Sequence, residues 1–183
     1  MSEVSFHLFH GTDAKCAKSI QASGFVPKKN VEHWLGNGIY FFEDKSLAHW
    51  WTTRPTKKFS SNIEKPTIVE VTVRVNKENL LDMRCLCDYI ECSQKFKEYL
   101  KIIIWDIKPG YWTKMKKLRC AFFDWLHNTH SIDCIVGTFN LKKQAYLPNS
   151  INKNMKHLLL PYIETQICVF SNALIHEIKY SIL

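Results

Sequence analysis

Alternating apolar and polar positions predict one strand at the start of the chain and another before its middle. Residues 4–10 alternate, with Val4, Phe6 and Leu8 on one side, and the segment ends at His10. Residues 67–75 alternate more regularly, because every second position from residue 69 is valine. One face of each strand is therefore expected in the hydrophobic core.

Shorter patterns predict four more strands. Ile39–Phe42 follows the glycine-rich turn Gly36-Asn37-Gly38, and Ile132–Val136 alternates again. Residues 166–183 predict two strands around a turn at Ser171-Asn172. Each of these segments is short enough to be a strand of an ordinary sheet.

Segments with helical periodicity lie between the predicted strands. Thr12 or Asp13 can cap a first helix that stops at Gly24, and Asp44 or Ser46 can cap a short second one. Two further helices are predicted on either side of Pro109-Gly110 by apolar residues at helical spacing: Phe96, Leu100, Ile103 and Ile104, then Leu118, Phe122, Trp125 and Leu126. Strands at both ends with helices between them favour an α+β domain over a doubly wound parallel sheet.

The chain shows no internal repeat and no segment that reads as a linker. Residues 140–161 are rich in Asn and Lys and predict a long surface loop. Residues 1–183 are therefore expected to form one domain.

The composition narrows the class of protein. The hydrophobic fraction is 46% and the aromatic fraction 13%, which excludes a disordered or low-complexity chain. Lys and Arg number 25 against 17 Asp and Glu, a formal charge of +8. Such an excess favours an acidic partner, either nucleic acid, a phosphate-bearing cofactor or an anionic membrane surface. A basic surface without a specific partner is the alternative.

The cysteines and the N-terminal sequence bear on the compartment. Seven cysteines is an odd number, and the first residues lack the basic and then apolar pattern of a secretory signal. No window approaches the roughly 18 apolar residues of a membrane span. A cytoplasmic location with free thiols and no membrane partner is expected. Cys85, Cys87 and Cys92 do not have the paired spacing of zinc ligands, so no metal site is predicted.

Three short segments carry the candidate chemistry. Phe9-His10-Gly11-Thr12 ends the first predicted strand. Gly36-Asn37-Gly38-Ile39-Tyr40-Phe41 enters the next one, and Ala48-His49-Trp50-Trp51 follows it. Glu164-Thr165-Gln166-Ile167-Cys168-Val169 lies near the C-terminus. The second segment is not a dinucleotide fingerprint, because it lacks the third glycine and enters a strand rather than a helix.

In this order and spacing the segments resemble the catalytic domain of the ADP-ribosyltransferase superfamily. The similar branch is the diphtheria-toxin-like and poly(ADP-ribose)-polymerase-like one, which is recognised by a His-Tyr-Glu triad. The resemblance implies split antiparallel β-sheets with flanking helices, and NAD as the co-substrate. Residues 76–160 match only in general character.

The resemblance also implies roles for the residues of the first two segments. His10 would bind a ribose hydroxyl of the adenosine half of NAD, Gly11 would pair through its backbone with the nicotinamide amide, and Thr12 would support the nearby ribose. Tyr40 would lie against the nicotinamide ring, so the imidazole and the phenol are expected to converge on one cleft. Trp50 or Trp51 would cover the other face of the ring, with Trp50 favoured. Stacking a cationic pyridinium on aromatic rings is chemically sound.

The third segment departs from the family pattern. Gln166 stands where the resemblance places the catalytic glutamate. A neutral amide still accepts a ribose hydrogen bond but loses the electrostatic stabilisation of an oxocarbenium-like transition state, about 2–4 kcal/mol. Glu164 projects to the same strand face as Gln166 and can supply that charge, or it can be a solvated surface carboxylate.

These observations predict a mono-ADP-ribosyltransferase that acts on a macromolecule. The basic charge favours nucleic acid over protein as the acceptor. The resemblance also suggests a toxin or defence factor with an antitoxin-like protein partner. An NAD glycohydrolase, or a catalytically silent module that binds ADP-ribose or nucleic acid, are the alternatives, and Gln166 favours the silent module.

Overall fold

The computed structural model describes residues 2–53, 63–103, 111–139 and 164–183, and of 111–114 it describes the backbone alone. Within these ranges the fold is a mixed α/β one with seven strands in one sheet. The strands are β1 (Glu3–Asp13), β2 (Ile39–Phe42), β3 (Pro66–Asn76), β4 (Leu80–Asp82), β5 (Cys134–Phe139), β6 (Glu164–Val169) and β7 (Ile175–Ile182). The helices are α1 (Ala14–Ser23), α2 (Lys45–Thr53), α3 (Leu86–Ile103) and α4 (Tyr111–His130), with short 3-10 turns at Lys77–Asn79 and Asn172–Leu174.

The strand order in the sheet is β4-β5-β6-β2-β1-β3-β7. Neighbouring strands are antiparallel except β4 and β5, which run parallel. The mixture of helices and a mostly antiparallel sheet is compatible with the α+β class. The strands form one seven-stranded sheet rather than the predicted split sheets. Among the described residues, its parts β4-β5-β6-β2 and β1-β3-β7 are joined at the register pair of Phe9 and Phe42.

Helices cover both faces of the sheet. On one face, Ala17 and Ile20 of α1 pack against the valine face of β3, in which all four predicted valines are at most 1% exposed. On the other face, Phe122 of α4 and Tyr99 of α3 pack against Ile135 of β5. Also on this second face, Leu47 and Ala48 of α2 cover the centre of the sheet. The predicted strand 67–75 is thus confirmed with its core face.

The first helix begins and ends where its capping residues predict. Asp13 Oδ1 accepts a hydrogen bond from the Lys15 N–H at 2.9 Å, which makes Asp13 the N-cap. Its Oδ2 accepts from the backbone N–H groups of Glu64 and Lys65, each at 2.9 Å. Gly24 follows the helix with a φ of 80°, a conformation that favours glycine. The carboxylate therefore fixes the end of β1 to the start of β3.

Other predicted boundaries shift or fall outside the described residues. Asp44, rather than Ser46, caps α2 by accepting from the Ser46 N–H at 2.7 Å. The helix predicted around Phe96 begins ten residues earlier at Leu86, and β4 was not predicted. Pro109-Gly110 and the loop predicted at residues 140–161 lie outside the described residues.

Candidate functional site

The structure brings the three sequence segments onto three adjacent strands. His10 lies on β1, Tyr40 on β2 and Gln166 on β6, and β6-β2-β1 are neighbours at the centre of the sheet. Phe42 is the register partner of both Phe9 and Gln166. Segments far apart in the chain therefore meet within the width of three strands.

A gap in strand pairing lies beside His10. β1 pairs with β3 along its whole length, from Glu3 to Asp13. In the part of the chain that is described, it pairs with β2 at Phe9 and Phe42 alone. Alternate residues of an antiparallel strand direct their N–H and C=O groups to opposite sides. Some backbone groups of residues 10–13 therefore face β2 without a ladder to satisfy them, and such groups can bind a polar ligand.

The His10 side chain crosses this gap. Its Nδ1 lies 2.8 Å from the backbone oxygen of Tyr40. A carbonyl oxygen can only accept, so Nδ1 carries the proton and Nε2 of the neutral ring is an acceptor. Burial lowers the pKa of His10, and the hydrogen bond to Tyr40 opposes this by a smaller amount. The imidazole is thus neutral near pH 7, and its Nε2 can accept a hydrogen bond from a hydroxyl group.

The His10 ring packs on the face of the sheet that α1 covers. It makes edge contacts with Phe25 at 5.3 Å and with Phe41 at 5.9 Å between ring centroids. Tyr40 is the neighbour of Phe41 on β2, so its side chain leaves the sheet on the opposite face. The imidazole and the phenol therefore do not converge ring to ring, and His10 reaches Tyr40 through the backbone.

The Tyr40 hydroxyl supports the loop before its own strand. It accepts a hydrogen bond from the Leu35 N–H at 2.6 Å and donates one to the Gly36 carbonyl at 2.9 Å. Burial raises the pKa of Tyr40, so the hydroxyl stays protonated. Gly36 has a φ of 89°, which a residue with a side chain rarely adopts. The ring itself is half-buried and contacts His33 at 5.3 Å between centroids.

Gly11 has a structural reason for lacking a side chain. A Cβ at this position would lie 2.4 Å from the Ala48 backbone oxygen and 2.8 Å from Thr52 Cγ2. Helix α2 therefore occupies the side of Gly11 on which a side chain would stand. The neighbouring Thr12 is half-buried and pairs with Thr67 of β3.

The two candidate tryptophans lie on α2. Trp51 packs in the cluster beneath this helix, with its ring 6.4 Å from that of Phe42 between centroids. Since Phe42 is the register partner of Gln166, Trp51 lies on the face that carries Gln166. Trp50 is half-buried on the same helix. These positions leave both tryptophans as candidates for a stacking role.

Glu164 and Gln166 form a side-chain pair on β6. Glu164 is 4% exposed and Gln166 is half-buried, so Glu164 is not the solvated surface carboxylate of the alternative interpretation. Gln166 Nε2 donates a hydrogen bond to Glu164 Oε1. A carboxylate can only accept this bond, so the contact fixes the amide nitrogen of Gln166 toward Glu164. The amide oxygen of Gln166 then points away and is an acceptor for a hydroxyl.

Sequence reasoning missed the loop contacts that position β2. Asp124 of α4 accepts hydrogen bonds from the Asn37 N–H and from Asn37 Nδ2, each at 2.6 Å. These bonds hold the Gly36-Asn37-Gly38 turn against α4. The only sequence signal was the glycine-rich turn itself, because a partner on a distant helix leaves no local pattern.

Among the described residues, no helix combines the length and the apolar character needed to cross a bilayer.

Comparisons with known proteins leave the family open. No family model matches the chain. A curated relative, the uncharacterized protein MJ0359 of Methanocaldococcus jannaschii, is 33% identical over 84 residues. That match covers 45% of this chain and 39% of the relative, so the chain spans well under half of the protein it resembles.

Proposed function

We propose that the protein is an NAD-dependent mono-ADP-ribosyltransferase with the fold of the His-Tyr-Glu branch, in which Gln166 replaces the glutamate. The observation that carries the proposal is the adjacency of β6, β2 and β1, because it places Gln166, Tyr40 and His10, from three distant segments, on neighbouring strands. Although the strands form one sheet, its two parts are joined among the described residues at one pair, Phe9 and Phe42, which approaches the split sheets of that fold.

The polar groups at the gap suit a dinucleotide with two ribose rings. His10 offers the Nε2 acceptor on one face of the sheet, and Gln166 offers its amide oxygen on the other. Both are acceptors, and ribose hydroxyls are donors. The unpaired edge of β1 beside His10 offers backbone N–H and C=O groups for a carboxamide. Each acceptor fits a ribose hydroxyl of NAD, and because the two lie on opposite faces of the sheet, NAD would pass through the gap between β1 and β2 to reach both.

The reaction breaks the glycosidic bond between ribose and nicotinamide. The bonding electron pair leaves with the nicotinamide nitrogen, and the acceptor attacks the ribose carbon and loses its proton to solvent. NAD supplies the leaving group and the ribose that becomes positively charged. Gln166 would orient that ribose through its amide oxygen, and the buried carboxylate of Glu164 behind it would stabilise the positive charge.

Glu164 thus has a positioning role in this proposal. It holds the amide of Gln166 in one orientation, so the acceptor oxygen is presented before the ligand arrives. Glu164 is two residues away from position 166 on β6. Its charge therefore acts on the ribose from a greater distance than the charge of a glutamate at position 166 would. We therefore expect slower cleavage than in an enzyme with the complete triad.

Labelled NAD tests the proposal. The protein is incubated with NAD labelled in its adenylate part and with cell lysate, and the products are divided between protease and nuclease treatment. Label in a macromolecule supports a transferase, whereas free ADP-ribose alone would select an NAD glycohydrolase. Glu164→Gln should lower the rate. Thr165 lies between Glu164 and Gln166 and projects to the opposite face of the strand. Thr165→Ser is therefore the matched control and should leave the rate unchanged.

A catalytically silent binding module is the second candidate, and the amide at position 166 favours it. This module would bind ADP-ribose with an affinity that depends on His10 and leave NAD intact in the same assay. Intact NAD at high enzyme concentration, together with saturable ADP-ribose binding, would replace the transferase with this function.

A further inference from the structure

The loop before β2 lies along the first part of helix α4 and forms one surface with it. Cys120 Sγ donates to the Asn30 carbonyl at 3.3 Å. Lys116 Nζ lies 3.4 Å from Glu32 Oε2. We call residues 28–34, together with the exposed side of residues 115–121, the α4 surface.

An aromatic and a guanidinium group are paired on the α4 surface. The Cζ atom of Arg119 lies 4.8 Å from the centre of the Trp34 ring. Trp34 also meets Phe139 edge to face at 4.5 Å between centroids, and 40% of it remains exposed. Two neighbouring side chains therefore contact a large aromatic side chain at the protein surface, which lowers the conformational entropy that it loses on binding.

Arg119 keeps hydrogen-bonding capacity in this arrangement. Its Nε is buried and has no hydrogen-bond partner among the described residues. Burial lowers the pKa of Arg119, which is still a permanent cation because an arginine pKa starts so high. Since Nε is buried, a phosphate would bind to the terminal N–H groups of the guanidinium, and a base can stack on its plane.

The charge of the α4 surface is positive. Its basic residues are Lys28, Lys29, Lys116, Lys117 and Arg119. Its own carboxylate, Glu32, pairs with Lys116, and the neighbouring Asp124 accepts the hydrogen bonds of Asn37. The α4 surface therefore combines one exposed aromatic residue, on which Arg119 lies, with an excess of basic residues, and this combination suits single-stranded nucleic acid.

The α4 surface adjoins the candidate site. Phe139, which contacts Trp34, is the register partner of Glu164 on β6. Gln166 is the next residue of β6 on the same face. A strand of nucleic acid bound over Trp34 would therefore lie beside the carboxylate and amide pair.

We propose that the α4 surface binds single-stranded nucleic acid through stacking on the Trp34–Arg119 pair and through phosphate contacts of the lysines. Its role as the acceptor for ADP-ribose rests on the proposed function, whereas binding itself does not. The proposal names single-stranded RNA or DNA as the ligand, and duplexes of the same sequence should bind more weakly, because their bases are already stacked.

Anisotropy of a labelled single-stranded 12-mer, as RNA and as DNA, measures the binding directly. Trp34→Leu should weaken it by about tenfold, in the range found when one base loses its stacking partner. Arg119→Lys keeps the charge but loses the planar group and should weaken it as well. Lys117→Gln should reduce the salt dependence of binding, since each lost phosphate contact lowers the slope by about 0.7 for a single strand.

Lys179→Gln on the far edge strand β7 is the matched control, because it removes the same charge away from the α4 surface. Equal binding by wild type and Trp34→Leu, or equal weakening by Lys179→Gln and Lys117→Gln, would overturn the proposal. Circular dichroism and thermal melting establish that each variant is folded.

The labelled-NAD assay separates this proposal from the proposed function. If wild type cleaves NAD and labels protein, and Trp34→Leu labels it equally, the α4 surface is not the acceptor site while the transferase stands. If wild type binds the 12-mer in a Trp34-dependent way but leaves NAD intact, the transferase falls and the binding surface stands.

Discussion

Nδ1 of His10 lies 2.8 Å from the backbone oxygen of Tyr40, so an imidazole bridges β1 and β2 where their ladder stops. In a continuous ladder, a backbone N–H would satisfy that carbonyl. A side chain does so here, and the backbone edge of β1 beyond Phe9 remains available. The bond also defines the tautomer of His10, which decides what the outer nitrogen can bind.

The first prediction concerns the pH dependence of stability. Burial holds the pKa of His10 below its ordinary value of 6.5 in the folded protein. The unfolded chain therefore takes up a proton at a higher pH than the folded one. This stabilising contribution is complete above pH 6.5 and is lost as the pH falls through the lower folded pKa.

His10→Asn should flatten the fall in melting temperature between pH 7 and pH 5, because asparagine can still donate to the Tyr40 carbonyl but does not titrate. His176→Asn on edge strand β7 is the control and should keep the wild-type slope. His33, whose pKa burial also lowers, adds to the wild-type slope in this range. An unchanged slope in His10→Asn would contradict the assignment.

Local chemistry explains which parts of the fold the sequence could predict. The valine face of residues 67–75 and the cap at Asp13 depend on neighbours within a few residues, so their patterns are visible in the chain. The three-residue strand β4 has no such pattern, because its parallel pairing with β5 comes from distant residues. The predicted helix around Phe96 was too short for a different reason. Its first turns carry exposed Leu86 and Tyr89, so the apolar residues there do not mark a buried helix face.

The sequence likewise predicted some features of the candidate site and not others. The motifs placed His10, Tyr40 and Gln166 on strands, which the structure confirms. They could not reveal that Tyr40 and His10 leave the sheet on opposite faces, because that depends on the register of β2. Nor could they reveal the pairing of Trp34 with Arg119, which lie on elements far apart in the chain.

The second prediction concerns the Tyr40 hydroxyl. Tyr40→Phe removes an acceptor from the Leu35 N–H and a donor from the Gly36 carbonyl, while the ring can still pack. Leaving such partly buried groups without partners should cost about 1–3 kcal/mol in the free energy of unfolding. Urea denaturation measures it, with Tyr180→Phe on edge strand β7 as the control. Equal loss in both variants would show that the two hydrogen bonds contribute little.

The third prediction concerns Gly11. Gly11→Ala places a Cβ against the Ala48 backbone oxygen and Thr52, so α2 must move away from β1. Overpacking of this kind should lower the free energy of unfolding by about 1–3 kcal/mol. Adding Thr52→Ala should recover only part of the loss, because the Ala48 contact is with backbone. Full recovery in the double variant would show that Thr52 alone sets the close approach.

The fourth prediction exchanges the charges of the β6 pair. Gln166→Glu alone would set a second carboxylate beside the buried Glu164, and such pairs share a proton near neutral pH. The single variant should therefore gain little cleavage of NAD. The double variant Glu164→Gln/Gln166→Glu keeps one amide bonded to one carboxylate and moves the charge to the position next to the ribose.

If the charge at position 166 is what the site lacks, the double variant should cleave NAD faster by a factor that corresponds to about 2–4 kcal/mol, or roughly 30- to 900-fold. Initial rates of nicotinamide release measure this, with NAD affinity determined separately so that binding and chemistry are not confused. Thr165→Ser, on the opposite face of β6, should leave the rate unchanged. A double variant that binds NAD as wild type does, yet cleaves it no faster, would show that Gln166 does not occupy the position of a catalytic carboxylate.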